Sequence, residues 1–198
     1  MTEGSTPSEL TNAAWETLLG AHESFQSGAS PAYDEIFNEV SGRICESGSV
    51  GKTDIGALLF WKRLRADTRW VRDLMAVSDE EVRLVTTKAV VAVNDTSLDV
   101  RAAASRGRSA LSALPGFARG DALASALLAA AAPERMAVYD RRAQKGLEKL
   151  GLSLSAARGR YGRYMGIIGN LKNIAKHRGH AWSARDVDLA LYWLGGRE

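Results

Sequence analysis

A Pro-Gly turn between two helical segments constrains the fold of this chain more than any other feature of its sequence. Residues 98–113 are rich in Ala and Arg, and residues 121–132 are almost all Ala and Leu. The connection contains Leu114-Pro115-Gly116-Phe117, and Pro133 ends the second segment, because proline interrupts the hydrogen bonds of a helix. Small side chains let neighbouring helices approach closely. The sequence therefore predicts a compact helical hairpin over about residues 101–132.

Helical periodicity extends over the rest of the chain. Capping residues such as Thr53, Ser78 and Ser183 precede several runs of apolar residues with helical spacing, and no segment predicts a strand convincingly. We therefore expect an all-α protein, with a disordered tail over residues 1–8 and a single helical domain over residues 9–198. Besides the hairpin, helices are expected from near residue 8 to between 20 and 27, and at about 31–47, 53–64, 67–75, 78–94, 139–150, 156–177 and 183–194.

Charge is unevenly distributed along the chain. Residues 1–100 contain 9 Lys/Arg and 16 Asp/Glu, a net charge of −7, whereas residues 101–198 contain 17 and 7, a net charge of +10. The basic half includes the Pro-Gly turn. A face rich in Lys and Arg binds polyanions, because each neutralised phosphate releases condensed counterions. The distribution fits a nucleic-acid-binding surface and equally a solvated basic surface.

Composition argues against several classes of protein. Cys45 is the single cysteine, so no internal disulfide or cysteine cluster can form. No apolar run is long enough to span a bilayer, and the first residues lack the features of a signal peptide. We expect a soluble, cytoplasmic protein without a membrane partner.

Metal and nucleotide sites are not expected either. His177 and His180 have no acidic or cysteine neighbours in the sequence that would complete a metal site, and no cofactor is predicted. The segment from Gly48 to Thr53 resembles part of a phosphate-binding loop, but Glu46 stands where that motif requires Gly. Nucleotide hydrolysis is therefore rejected.

The Pro-Gly turn predicts an anion site. Gly116 permits a backbone conformation, or a close approach, that residues with side chains cannot adopt. Exposed amides of the turn and the N-terminus of a helix that starts near Asp121 would attract a phosphate, and Arg119 would strengthen the positive field. The alternative is an ordinary connection between two helices.

Asp140 is the carboxylate that we single out. It ends the segment Ala137-Val138-Tyr139-Asp140, which follows the hairpin and begins the next helix. Asp is a favoured residue at the N-terminal cap of a helix, so a capping role is as well supported by the local sequence as a catalytic one.

A candidate base pocket combines cations and an aromatic ring near residues 52–63. Trp61 lies in Phe60-Trp61-Lys62-Arg63, where aromatic faces and cations can stack on a base. Lys52, Thr53 and Asp54 stand at a predicted helix start and could line the same pocket. Burial of Trp61 in the core is the alternative.

The turn and the carboxylate together resemble the helix-hairpin-helix DNA glycosylase superfamily. Its hairpin reads Leu-Pro-Gly-hydrophobic-Gly-x-x-x-Ala, and a Val-Asp-x-His segment with the catalytic Asp follows. Leu114, Pro115, Gly116, Phe117 and Ala122 match the hairpin, whereas Pro133 and Val138-Tyr139-Asp140 resemble the later segment with one residue inserted. The whole pattern is similar to bacterial proteins of the 8-oxoguanine DNA glycosylase (OGG) fold, with the specific match over about residues 111–150.

This resemblance implies two helical lobes with a cleft between them, and a monofunctional DNA N-glycosylase that acts on a flipped base of duplex DNA. Asp140 would be the catalytic carboxylate, and oxidised guanine the suggested lesion. Gly120 stands where bifunctional members carry a Schiff-base Lys, so no lyase step by that route is implied; Ala118 replaces the second hairpin Gly, and Arg142 the family His. The implied contacts with the DNA backbone are Leu114, Gly116, Phe117, Ala118, Arg119, Gly120, Arg142 and Lys145.

The implied chemistry needs one fixed negative charge. Cleavage of an N-glycosidic bond gives the sugar oxocarbenium character, which a carboxylate stabilises in the transition state more than in the ground state. The same carboxylate could orient or deprotonate the attacking water. The base must first leave the helical stack.

Two other hypotheses stay open at this point. The chain could be a non-catalytic module of the OGG fold that binds a free modified purine, a nucleotide or a partner protein, because relatives with this fold occur among antiviral nucleotide-signalling operons. It could also be a purely structural interaction protein, which would bind DNA neither measurably nor in a salt-dependent way.

Overall fold

Helices account for all the regular secondary structure in a computed structural model that describes residues 10–196. Within that range there are ten helices and no strand, so the all-α prediction is confirmed. The predicted tail over residues 1–8 lies outside the described residues. The helices are α1 Asn12–Gly28, α2 Glu35–Ser47, α3 Lys52–Trp61, α4 Arg69–Ala76, α5 Asp79–Asn94, α6 Val100–Leu111, α7 Ala122–Ala131, α8 Arg141–Lys149, α9 Arg160–His177 and α10 Ala184–Gly196.

Side-chain caps fix several helix starts. Thr11, Ser78, Asp99 and Asp140 each accept a hydrogen bond from the backbone amide three residues later, at the N-termini of α1, α5, α6 and α8. Each cap satisfies one of the amides that a helix start leaves without an intrahelical partner. These polar residues therefore determine where the chain turns from loop to helix.

Some predicted boundaries are wrong by several residues. The chain forms a turn at residues 31–34, so α2 begins at Glu35 rather than at Pro31. The long basic helix α9 begins at Arg160 instead of Ala156, directly after Gly159, whose positive φ of 82° breaks the helical path. The first helix starts at Asn12, later than expected, because Thr11 is its cap.

Helix α7 occupies the centre of the core. Its residues 123–130 are all buried, and it contacts α2, α3, α5 and α6. Its Ala-rich composition allows this many neighbours, since small side chains let helix axes approach closely. Gly107 of α6 contributes to the same contact: a Cβ there would overlap side chains of Val93 and Leu128.

The C-terminal helix α10 packs against α8, α1 and α9. Glycines make the contact between α8 and α10 close, because a Cβ at Gly146 would overlap the backbone of Leu191 and a Cβ at Gly195 would overlap that of Arg142. One continuous hydrophobic core joins buried residues from α1 to α10. The division into two lobes stays a prediction. Within residues 10–196 no helix is both long and apolar enough to cross a membrane.

Candidate functional site

A cleft of about 900 Å³ opens where the C-terminal end of α3 faces the N-terminal end of α8. The start of α7 and one face of α10 complete its walls. Its charged lining side chains are five cations and two acids, so the cleft carries an excess of positive charge. The cations are Lys62, Arg63, Arg141, Arg142 and Arg185, the acids are Asp140 and Asp188, and the aromatic lining residues are Tyr33, Phe60, Trp61 and Tyr192.

Asp140 lies in the wall of this cleft and also caps α8. Its Oδ1 accepts a hydrogen bond from the amide of Ala143 at 2.9 Å, and its Oδ2 lies 2.6 Å from Nζ of Lys62. The side chain is 19 % exposed. Asp140 is therefore both the cap of α8 and a carboxylate on the cleft wall. Its catalytic role stays a prediction.

Lys62 is a site residue that sequence reasoning did not single out. Its ammonium pairs with Asp140, 78 residues later in the chain, and its side chain is only 11 % exposed. The signal available in the sequence was its position beside Trp61 in an aromatic and basic run. Nothing in the local pattern indicated which acid it would meet. The pair places opposite charges side by side at one point of the cleft.

An extended segment delivers Asp140 to the cleft. Residues 137–139 are buried and belong to neither a helix nor a strand, so side chains from surrounding helices supply hydrogen bonds to their backbone groups. The hydroxyls of Tyr161 and Tyr164 donate to the carbonyls of Ala137 and Val138, at 3.0 and 3.1 Å. The amide of Val138 donates to the carboxylate of Asp188 at 2.9 Å, and the amide of Tyr139 donates to the hydroxyl of Ser125 at 2.9 Å. The position of Asp140 is therefore fixed from the core.

Asp188 of α10 is buried in the core, although its side chain is ionisable. Its carboxylate accepts hydrogen bonds from the amide of Val138 and from Nη1 of Arg185, at 2.9 and 2.8 Å. Burial raises the pKa of Asp188 to about 6, although Arg185 and the Val138 amide act in the opposite direction. Asp188 therefore links the extended segment to Arg185 of α10 through hydrogen bonds.

Arg185 is a fixed cation in the cleft. Its guanidinium is paired with Asp188 on one side and with Asp34 at 2.8 Å on the other. It also lies over the rings of Phe37 and Trp61, at 5.1 and 5.2 Å from their centroids, where aromatic faces attract cations. Burial opposes the charge of Arg185, but the two carboxylates outweigh it and raise the pKa of this arginine. Arg185 thus stays charged.

Trp61, a predicted base-pocket residue, lines the cleft. Its indole Nε1 donates to the carbonyl of Tyr33 at 3.1 Å, and its ring packs against Phe37 with centroids 5.0 Å apart. The ring is therefore anchored on several sides.

The other predicted base-pocket residues do not meet Asp140. Nζ of Lys52 donates to the carbonyl of Val77 at 2.9 Å, Asp54 is buried and accepts from the amide of Gly51 at 3.0 Å, and Thr53 is exposed. None of the three lines the cleft. Lys52 and Asp54 fix the start of α3 and its loop, so the part of the base-pocket prediction placed on residues 52–54 does not coincide with the cleft.

The Pro-Gly turn has the local geometry that its sequence predicts. Gly116 has a φ of +86°, and a Cβ there would overlap the ring of Trp70. The amide of Phe117 donates to the carbonyl of Leu114 at 3.1 Å, and both of these side chains are buried. Leu114 and Phe117 thus anchor the hairpin in the core, and the loop after them is exposed.

Arg108 braces that loop from α6. Its guanidinium donates to the carbonyls of Phe117 and Gly120 at 2.7 and 2.8 Å and to Asp121 at 2.9 Å. Arg160 from α9 binds the other oxygen of Asp121. With these carbonyls occupied, the loop is held in one arrangement.

The amides of the loop are left open. Within residues 10–196, the backbone amides of Ala118, Arg119 and Gly120 have no hydrogen-bond partner. These three residues line a second hollow of about 440 Å³, together with Arg158 and the first residues of α9. Unpartnered amides beside arginines favour an anion.

The remaining residues predicted to contact the DNA backbone lie in different places. Arg142 lines the cleft, and its guanidinium lies 4.9 Å from the ring centroid of Tyr192. Lys145 is exposed on α8 and lines neither the cleft nor the hollow. Ala122, the first residue of α7, lines the cleft and connects the hairpin to the wall that holds Asp140.

Comparison of the chain with protein-family models, curated proteins and solved structures found no match. Among residues 10–196, no group of three or more His, Cys, Asp or Glu is arranged to hold a metal ion.

Proposed function

We propose that this protein is a DNA N-glycosylase of the helix-hairpin-helix type, with Asp140 as its catalytic carboxylate. The observation that carries the proposal is the position of Asp140. Side-chain hydrogen bonds hold its segment from the core, and its carboxylate lies on the wall of a cationic, aromatic cleft that also reaches Ala122, in the hairpin at the start of α7.

The cleft has dimensions and lining suited to a flipped nucleotide. Its volume of about 900 Å³ falls in the range of small-molecule sites. Aromatic rings such as Trp61 and Tyr33 provide flat apolar surface for a base, and the excess of cations attracts the phosphates on either side of it.

The pair of Asp140 and Lys62 matches the charges that develop as an N-glycosidic bond breaks. The sugar carbon gains positive charge, which the carboxylate of Asp140 stabilises, and the departing base gains negative charge, which the ammonium of Lys62 can stabilise or protonate. In the structure the two groups form an ion pair at 2.6 Å. Substrate would have to enter between them or beside them.

The hairpin would hold the DNA backbone. The free amides of Ala118, Arg119 and Gly120 provide donors for a phosphate, with Arg119 exposed beside them. The hydrogen bonds from Arg108 to the carbonyls of Phe117 and Gly120 hold the loop in place, so less conformational entropy is lost when a phosphate binds.

The test is base release by the purified protein from duplexes with oxidised, alkylated or deaminated bases. Alkali then cleaves strands that have lost a base. Asp140→Asn keeps a residue that can cap α8 but removes the charge, and Asp99→Asn, at the cap of α6, is the matched control. Abasic strands from the wild type and Asp99→Asn, with a loss of at least 100-fold in Asp140→Asn, support the proposal.

Borohydride in the same reactions tests the role of Lys62. Trapping of a covalent protein–DNA complex that disappears in Lys62→Gln would show that the lysine attacks the sugar, and would contradict a monofunctional reaction. Abasic strands without any trapped complex fit the charge-stabilising role.

A second candidate function is recognition of a nucleobase without cleavage. The observation that favours it is that both oxygens of Asp140 already have partners, Lys62 and the Ala143 amide. Under this function, calorimetry with free modified purines shows binding, and no duplex yields an abasic strand.

A further inference from the structure

A smaller cavity adjoins the cleft between the C-terminal ends of α1 and α10. It measures about 230 Å³ and is lined by Phe25, Ala29, Tyr33, Arg142, Tyr192, Trp193 and Gly196. We call it the aromatic chamber, because most of its lining side chains are aromatic rings. Tyr33, Arg142 and Tyr192 line both the aromatic chamber and the cleft. The two spaces therefore share a wall.

The rings of the aromatic chamber hold one another in place. The ring centroids of Trp193 and Phe25 are 5.9 Å apart, and those of Phe25 and Tyr33 are 5.3 Å apart. Both pairs meet edge to face, at interplanar angles of 86° and 83°, which is an arrangement that aromatic pairs favour. Tyr192 continues the series, with its centroid 6.2 Å from that of Tyr33. The aromatic chamber is thus largely preformed.

Helix α1 supports the inner end of the aromatic chamber. Phe25 is buried, and its ring belongs to the last turns of α1. A Cβ at Gly28 would lie 3.1 Å from Cη2 of Trp193, closer than ordinary packing allows. Gly28 therefore lets the indole of Trp193 lie directly against the end of α1.

The charges around the aromatic chamber favour a neutral ligand group. Among residues 10–196 its lining includes one cation, Arg142, and no acid. Nη1 of Arg142 donates to the hydroxyl of Tyr192 at 2.9 Å. Burial raises the pKa of Tyr33, and its hydrogen bond with Tyr192 acts in the same direction, so Tyr33 stays neutral. A cationic group would meet the charge of Arg142, and an anionic group would exchange water for aromatic rings.

The size of the aromatic chamber suits a single ring. An apolar cavity of about 150 Å³ binds benzene. The volume of about 230 Å³ therefore accommodates one six-membered ring with a short linking group. Rings that meet edge to face or offset would contact it on several sides.

We infer that the aromatic chamber binds a neutral aromatic ring that is a substituent of the nucleobase in the cleft. The shared wall carries this step, because Arg142 follows Asp140 by two residues and its partner Tyr192 lines both spaces. The substrate class is thus an aryl-substituted nucleobase. The inference rests on the proposed binding of a nucleobase in the cleft, and it does not require that the base is cleaved.

The experiment compares two free bases that differ by one ring, N6-benzyladenine and N6-methyladenine. Isothermal titration calorimetry gives Kd for the wild type and for Ala29→Leu, Ala29→Phe and Ala13→Phe. Ala29 is half-buried, lines the aromatic chamber but not the cleft, and has an extended backbone that any residue adopts, so both of its variants fill the chamber. Ala13 is exposed on α1, lines neither space and serves as the control.

The wild type and Ala13→Phe should bind N6-benzyladenine at least tenfold more tightly than N6-methyladenine, because the aromatic chamber removes a phenyl ring from water. Both Ala29 variants should lose most of this preference and keep the affinity for N6-methyladenine within about threefold. Ala29→Leu is the milder filling and provides the test if Ala29→Phe does not fold. Equal affinity of the wild type for the two bases, binding of neither base, or an unchanged preference in the folded Ala29 variants would overturn the inference.

Base release from duplexes with O6-benzylguanine or O6-methylguanine separates this inference from the proposed reaction. A preference for N6-benzyladenine that depends on Ala29, without base release from any duplex, keeps the aryl-binding chamber and rejects the glycosylase. Base release from modified duplexes, with equal affinity for the two free bases, keeps the glycosylase and rejects the aryl-binding chamber.

Discussion

Nζ of Lys62 lies 2.6 Å from Oδ2 of Asp140, and these two residues are 78 positions apart in the chain. Lys62 follows the last residue of α3, and Asp140 is the cap of α8, so the ion pair joins two walls of the cleft. Both side chains are largely shielded from water. Each ionised group therefore needs the other to offset its loss of hydration.

The first prediction concerns the stability of this pair. Lys62→Met leaves the carboxylate of Asp140 without its cation, and Asp140→Asn leaves the ammonium unpaired, so each should lower the free energy of unfolding by roughly 1–3 kcal/mol. The double variant should cost less than the sum of the two, with a coupling of roughly 1–2 kcal/mol. Urea denaturation of the four proteins measures the cycle. Strict additivity would mean that the pair contributes nothing.

The second prediction is a pH dependence that originates at Asp188. Its pKa is about 6 in the folded protein, above the ordinary value of 3.8, so between these pH values the folded state holds a proton that the unfolded state has released. The stabilisation is complete below pH 3.8 and is lost as the pH rises through 6. Relative to Asp188→Asn, the wild type should lose stability across this interval.

Denaturation of both proteins at pH 4, 5, 6 and 7 measures the direction of this pH dependence. A wild-type advantage that grows with pH would show that Arg185 favours the carboxylate more strongly than burial disfavours it.

The third prediction concerns the support of the extended segment. Tyr164→Phe removes the hydroxyl that donates to the carbonyl of Val138 and leaves that carbonyl buried without this partner. We expect a loss of roughly 1–3 kcal/mol in the free energy of unfolding. Because Asp140 lies two residues later, base release should fall more than duplex binding. Equal losses of both would indicate a general loss of structure.

The fourth prediction separates two glycines of the hairpin. Both Gly116 and Gly120 have positive φ, but only at Gly116 would a Cβ meet another residue, the ring of Trp70. Gly120→Ala should therefore cost roughly 1 kcal/mol from backbone strain alone, and Gly116→Ala clearly more. Thermal unfolding of the two variants compares them, and equal destabilisation would contradict the packing against Trp70.

Local patterns predicted the hairpin and the position of Asp140 because both depend on a few adjacent residues. The turn residues Pro115 and Gly116, the alanines of α7 and the cap at Asp140 act within one or two helical turns. All-α architecture follows from the same kind of signal. The starts of α2 and α9 were misplaced because Pro31 and Ala156 are compatible with a helix, yet the chain turns instead.

The groups that surround Asp140 and Val138 could not be predicted, because the tertiary fold brings them together. Lys62, at the C-terminal end of α3, pairs with Asp140, whereas Tyr164 of α9 and Asp188 of α10 bind the backbone of Val138. Asp188 follows the polar residues Arg185 and Asp186 in the sequence, but the helix turns its side chain into the core. Burial of one acid among polar neighbours has no signature in a single sequence.

The most direct measurement of the central claim is mass spectrometry of the free base released in a single turnover from modified-base duplexes. The wild type should release one kind of modified base and leave an equal amount of abasic strand. Asp140→Asn should bind the same duplex within about threefold of the wild-type affinity but release the base at least 100-fold more slowly. Release by Asp140→Asn at the wild-type rate, or no release from any duplex by the wild type, would contradict the assignment of Asp140 as the catalytic carboxylate.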